Sequence, residues 1–169
     1  MVRRMFRTVF VLAAGVLAVS LSGCGLGVRT DASKDIAAFL KAAQQGDRKG
    51  FEAGLDRVAL RSELRDQVAD LGRGSLLEVD GGPSEFAIDR MISPKAFAMV
   101  DAQTGKALPA SPTPAQLQPL IKVTDRSHVC LRNPGVDRCT LQFARKKGQW
   151  RLVVMPAIGL KIEVPAAKK

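Results

Sequence analysis

Apolar positions divide the chain into three stretches with different periods. Val9 to Val19 is a short, almost purely apolar run. From residue 31 to about residue 100, apolar residues recur at three- and four-residue spacing, the period of a helix face. From residue 120 to 155 they alternate, the period of a half-buried strand. Asp31 or Ser33 is placed to cap a first helix whose inner face is Ile36, Phe39, Leu40 and Ala43, and Gly46 to end it. After Phe51 and Leu55, the residues Leu60, Leu64, Val68 and Leu71 predict a second helix, capped by Asp56 and stopped by Gly72. Its opposite side carries Arg61, Glu63, Arg65, Asp66 and Asp70, so it is amphipathic and covers a core. Gly82-Pro83 predicts a third helix with Phe86 and Met91 or Ile92 inward, and Ser93-Pro94 a short fourth. Each stripe is read as core, with a partner-binding groove as the alternative.

Between Ala102 and Pro119, four prolines among small polar residues argue against helix and central strand, and predict an extended connection. Four strands follow, at Leu120 to Thr124, His128 to Arg132, Arg138 to Arg145 and Gln149 to Met155, with turns at Asn133-Pro134-Gly135-Val136 and Lys146-Lys147-Gly148. They predict an antiparallel meander too small to bury a core alone. The expectation is therefore one α+β domain over residues 31–169, with three or four helices packed on a four-stranded sheet.

The first stretch changes where that domain is expected to reside. Arg3, Arg4 and Arg7 precede the apolar run, and small residues follow it, the order of a secretory signal. A membrane span needs roughly 20 apolar residues, and this run has about half that. The four residues Leu21-Ser22-Gly23-Cys24 resemble the bacterial lipoprotein box. That resemblance implies diacylglycerol on the Cys24 thiol and cleavage after Gly23, so residues 1–23 are a signal peptide. Residues 24–30 hold too little apolar content to pack and read as a tether. Gly25 stands where, by the same resemblance, an aspartate retains a lipoprotein in the inner membrane, so the outer membrane is the expected destination.

Composition narrows the partners. The formal charge is +10, and the part after Cys24 stays basic. In an envelope compartment that suits lipid headgroups, an anionic envelope polymer or an acidic periplasmic protein; spread charge that maintains solubility is the plainer reading. Nucleic acid belongs to another compartment, and no aromatic-rich basic stripe supports it. The segments "DIAAFLKAAQQGD", "VALRSELRDQVADL", "MISPKAFAMV" and "TLQFARKKGQWRLVVMPAIGL" resemble an uncharacterised bacterial family, the domain-of-unknown-function family numbered 2939. The resemblance implies a small envelope-associated module and supplies no catalytic residues. Helices followed by a curled sheet ending in "GQWRLV" also resemble the cone-shaped nuclear-transport-factor-like fold, which hosts enzymes and binding modules alike.

Two cysteines remain, in "VCLRNPGVDRC". A turn centred on Pro134-Gly135 pairs Cys130 directly with Cys139, at a Cα separation of about 4.5 to 5.5 Å, within the disulfide range. An oxidising compartment favours the bond, and lipid on Cys24 removes the odd thiol. Free thiols or a metal pair are the alternatives, although zinc wants four ligands and His128 is the sole histidine. No hydrolase elbow, zinc-protease or phosphate-loop motif occurs. His128 is placed to act as a base with Asp125 or Asp137, or to be structural. Trp150 and Arg151, with Arg145-Lys146-Lys147, are candidates for an anion or glycan contact, against packing of the indole in the core. Asp66 and Asp70 share a helix face, as acids on solvated helices do. The expected function is a lipid-anchored, non-enzymatic binding or accessory module without metal or cofactor, with inhibition of a periplasmic protein as one form it takes. The alternative is a small-molecule binder or hydrolase with a pocket between sheet and helices.

Overall fold

A computed structural model describes residues 23–73 and 84–166. The leader's arginines, the run from Val9 to Val19 and Gly82-Pro83 lie outside the described residues. Helix α1 (Gly23–Gln45) is followed by α2 (Arg48–Ala53), α3 (Arg57–Arg73) and α4 (Glu85–Met91). Strand β1 (Ala98–Asp101) and the short helix α5 (Pro114–Leu117) precede β2 (Ile121–Val123), β3 (His128–Leu131), β4 (Leu141–Lys146), β5 (Gln149–Val154) and β6 (Lys161–Val164). Strands β2 to β5 form the antiparallel meander in chain order, while β1 and β6 make a separate parallel pair. The chain is α+β, with helices first and the four-stranded sheet towards the C-terminus.

Several local expectations are corrected. The first helix does not start at Asp31 or Ser33. Val28 and Ala32 extend the stripe of Ile36 upstream at four-residue spacing, and Ser33 Oγ donates back to the Thr30 carbonyl at 2.8 Å, so the expected tether over 24–30 is helical. Helix α3 is capped by Asp56, whose carboxylate accepts from the Ala59 N–H at 3.1 Å. It runs past Gly72 to Arg73, which leaves Leu71 on the outside. Because Ser84 caps α4, Ile88 and Ile92 face inward and Phe86 faces solvent. The proline-rich connection also contains a helix. Pro114 occupies its first turn, where no N–H is needed, and Thr113 and Gln116 cap each other reciprocally.

The core lies between α1 and the sheet, closed at one side by α3. Phe39 is its hub, with ring centroids 5.2 Å from Phe51, 5.2 Å from Phe97 and 5.9 Å from Phe143. Trp150, Leu152, Leu60 and Leu64 fill the space beside it. Strand β5 is not an open edge, because Leu152 exchanges backbone hydrogen bonds with the 54–56 segment, at 2.8 and 2.9 Å.

Candidate functional site

The turn from β2 to β3 holds the sole histidine. The Asp125 carboxylate accepts from the Ser127 N–H at 2.6 Å and from its hydroxyl at 2.8 Å, and lies 3.0 Å from His128 Nδ1. The Ser127 backbone hydrogen bond, then its hydroxyl, then His128 lower the Asp125 carboxyl to about 2. Serine, histidine and aspartate are thus in contact, but the same ring nitrogen faces both partners, with Ser127 Oγ 3.0 Å from Nδ1. A proton relay needs the carboxylate on one nitrogen and the hydroxyl on the other. The arrangement closes a turn and does not activate a nucleophile. Asp137, the other proposed partner of His128, pairs with Arg132 at 3.0 Å, at the opposite end of the sheet.

The structure places His128 and Arg151 on one face of the sheet, two strands apart, and sends Trp150 to the other. His128, Ala144 and Arg151 form one cross-strand row, so their side chains share the outer face. Trp150 points the other way and is 1 % exposed, which makes it core. Its backbone N–H donates to Asp35 of α1 at 2.9 Å, and the Arg145 guanidinium lies 5.9 Å from the centre of its ring. Arg145 in turn pairs with Asp31 at 3.3 Å. The basic hairpin is thereby tied to α1.

Cys130 and Cys139 stand at disulfide distance, with Cα atoms 5.5 Å apart. Their expected cross-strand register is wrong. Leu131 pairs with Leu141 and Val129 with Phe143, so Cys130 lies opposite Gln142. Pairing Cys130 with Cys139 shifts the register by an odd number of residues and turns Leu141 and Phe143, both fully buried, away from the core. Their burial wins. Residues 132–140 are left as a loop that folds back over Cys130.

Sequence reasoning missed what that loop does. Asn133 Nδ2 donates to the Lys161 carbonyl at 3.0 Å, and its Oδ1 accepts from the Glu163 N–H at 3.0 Å. One side-chain amide stands in for a neighbouring strand along β6. Another ionic cluster joins α3 to α4: Arg61 binds Asp89 at 2.7 Å, Arg57 bridges Glu52 and Asp89, and Arg65 meets Glu85. The Arg61 hydrogen bond holds the Asp89 carboxyl below its ordinary range. Asp66 and Asp70 lie on the exposed side of α3.

Aromatic side chains occupy the space between sheet and helices. A shallow groove of about 440 Å³ opens between α1, α2 and β5, beside Trp150. Its carboxylates are already engaged, Asp35 by the Trp150 N–H and Asp47 by the Gly50 N–H. Among the described residues, no group of three metal-ligating side chains converges, and no helix is long and apolar enough to cross a membrane. Comparison of the chain with family models, with curated proteins and with solved structures finds no match.

Proposed function

We propose that this chain is a bacterial envelope lipoprotein, anchored through lipid on Cys24 and facing the periplasm, and that its domain is a non-enzymatic binding or accessory module. The observation that carries the reading is Leu21-Ser22-Gly23-Cys24 placed directly behind a basic, then apolar leader. The exposed residues Gly25 to Gly27, which separate the cysteine from the packed part of α1, suit an anchor that lies outside the core. Outer-membrane sorting follows from Gly25, and an oxidising periplasm suits a closed Cys130–Cys139 bond. Two features support a module over an enzyme: the aromatic filling between sheet and helices, and the single ring nitrogen shared by Asp125 and Ser127. Its partner is then a periplasmic protein or an anionic envelope polymer. The small envelope modules of the domain-of-unknown-function family numbered 2939 are the proposed kin.

Metabolic labelling with palmitate tests the anchor. The expected result is labelled protein in the membrane fraction, because two or more acyl chains anchor stably where one does not. Cys24→Ala should abolish the label and leave an uncleaved precursor. Unlabelled, soluble wild-type protein would overturn the proposal.

A further inference from the structure

Resting on that reading of Cys24, we propose that the end of the sheet beside the anchor makes a second, non-covalent contact with anionic lipid headgroups, through Arg126 and Lys147 with Lys34 alongside. The meander puts the 124–127 turn and the Lys147-Gly148 turn at one end of the sheet and the 132–140 loop at the other. The Arg145 N–H donates to the Ser127 carbonyl at 2.7 Å, joining the two turns. The same end is fastened to α1 by Arg145–Asp31 and by the Trp150 N–H on Asp35. Asp31 follows Cys24 by seven residues. At a rise of about 1.5 Å per residue it lies roughly 10 Å along the helix from the anchor. That is close to one screening length at physiological salt, before the reach of a lysine or arginine stem is added.

The charge at this end is unbalanced. Asp31 is taken by Arg145, Asp35 by a backbone N–H, and Asp125 by Ser127 and His128. Lys146 lies 3.8 Å from Asp56. Of the exposed cations at this end, Lys34, Arg126 and Lys147 have no carboxylate partner among the described residues. Lys147 also adopts φ 51, a left-handed conformation that asparagine or glycine takes more readily in a two-residue hairpin turn, so the tip holds a cation where a neutral residue suits the backbone better. Separate exposed charges on two neighbouring turns match a diffuse layer of headgroups better than one anion in a pocket.

The test uses residues 24–169, which include every buried core residue among those described, with Cys24→Ser so that no lipid is attached. The chain is sedimented with vesicles of phosphatidylcholine alone or mixed with phosphatidylglycerol, at low and high salt. Binding should require phosphatidylglycerol and vanish at high salt. Arg126→Gln with Lys147→Asn should weaken it by about fivefold per cation, about 25-fold together; asparagine suits the backbone at 147. A charge-matched control, Lys106→Gln with Arg138→Gln, should bind as the parent does. Lys106 lies near Leu108, whose carbonyl accepts from Gln44 in the last turn of α1, and Arg138 sits in the 132–140 loop, so both are remote from the anchor. Equal loss in both variants, or no preference for the anionic vesicles, would overturn the contact. So would binding to a soluble anionic glycan in place of vesicles. Failed palmitate labelling with positive vesicle binding removes the anchor and leaves the contact standing; the reverse pattern removes the contact alone.

Discussion

Gly54 occupies a position where a β-carbon has no room. A methyl group there would lie 2.6 Å from Phe39 Cδ2 and 3.2 Å from its Cβ and Cγ. The Phe39 ring is gripped by Phe51, Phe97 and Phe143, and the Gly54 backbone is held by its carbonyl on the Leu152 N–H at 2.8 Å. Neither side can yield cheaply. Gly54→Ala should therefore destabilise by about 1–3 kcal/mol, the range for overpacking a filled core. Denaturant titration checks it: the midpoint should fall with little change of slope. An unchanged midpoint would mean that the Phe39 ring shifts freely. The sequence "FEAGLD" gives no hint of this constraint, because the clashing ring comes from another helix. His128 shows the same boundary of inference. Proximity in sequence narrows its partner to Asp125 or Asp137, but only the turn geometry shows that Nδ1 is the nitrogen shared.

At the scale of elements, two side-chain amides complete the hydrogen bonding of the C-terminal segment. Asn133 takes up the outer edge of β6, and Gln67 of α3 donates to the Met155 carbonyl at 3.1 Å and accepts from the Ala157 N–H at 2.9 Å. Asn133→Asp keeps an acceptor for Glu163 but sets a carboxylate against the Lys161 carbonyl, which loses its donor. The expected cost is about 1–2 kcal/mol, with faster amide exchange over residues 161–164 than elsewhere; uniform exchange would assign Asn133 no part in holding β6. The elements legible in the sequence are those whose signal is local. Leu60 and Leu64 on one face of α3, or the alternation through β4 and β5, can be counted in a window of a few turns. Strands β1 and β6 are four residues each and pair in parallel across most of the domain, with no hairpin turn to announce them. The short helix α5 was hidden by its own prolines, which forbid helix interiors and favour helix starts. The cysteine pair was legible from spacing and compartment. Its register was not, because the burial of Leu141 and Phe143 outweighs a compact turn.

Across the whole molecule, the 132–140 loop connects parts that the sequence keeps apart. It leaves β3, carries Cys139 back to Cys130, and sends Asn133 to β6, which pairs with β1. A bond between the two cysteines closes a loop of about ten residues and, on a chain-entropy treatment, stabilises by about 2–3 kcal/mol. Reduction, or Cys130→Ala with Cys139→Ala, should thus lower Tm by about 5–15 °C for a domain of this size. The loss should not stay local. If the bond holds the loop in place, freeing it also frees Asn133, and exchange over residues 161–164 should rise together with that of 132–140. Combining the cysteine changes with Asn133→Asp should then cost less than the two costs added, because both act on one latch. Strict additivity would mean that the loop keeps Asn133 on β6 without the bond. An unchanged Tm on reduction, with both thiols reactive in the folded protein before any reductant is added, would mean that the cysteines stand close but unjoined.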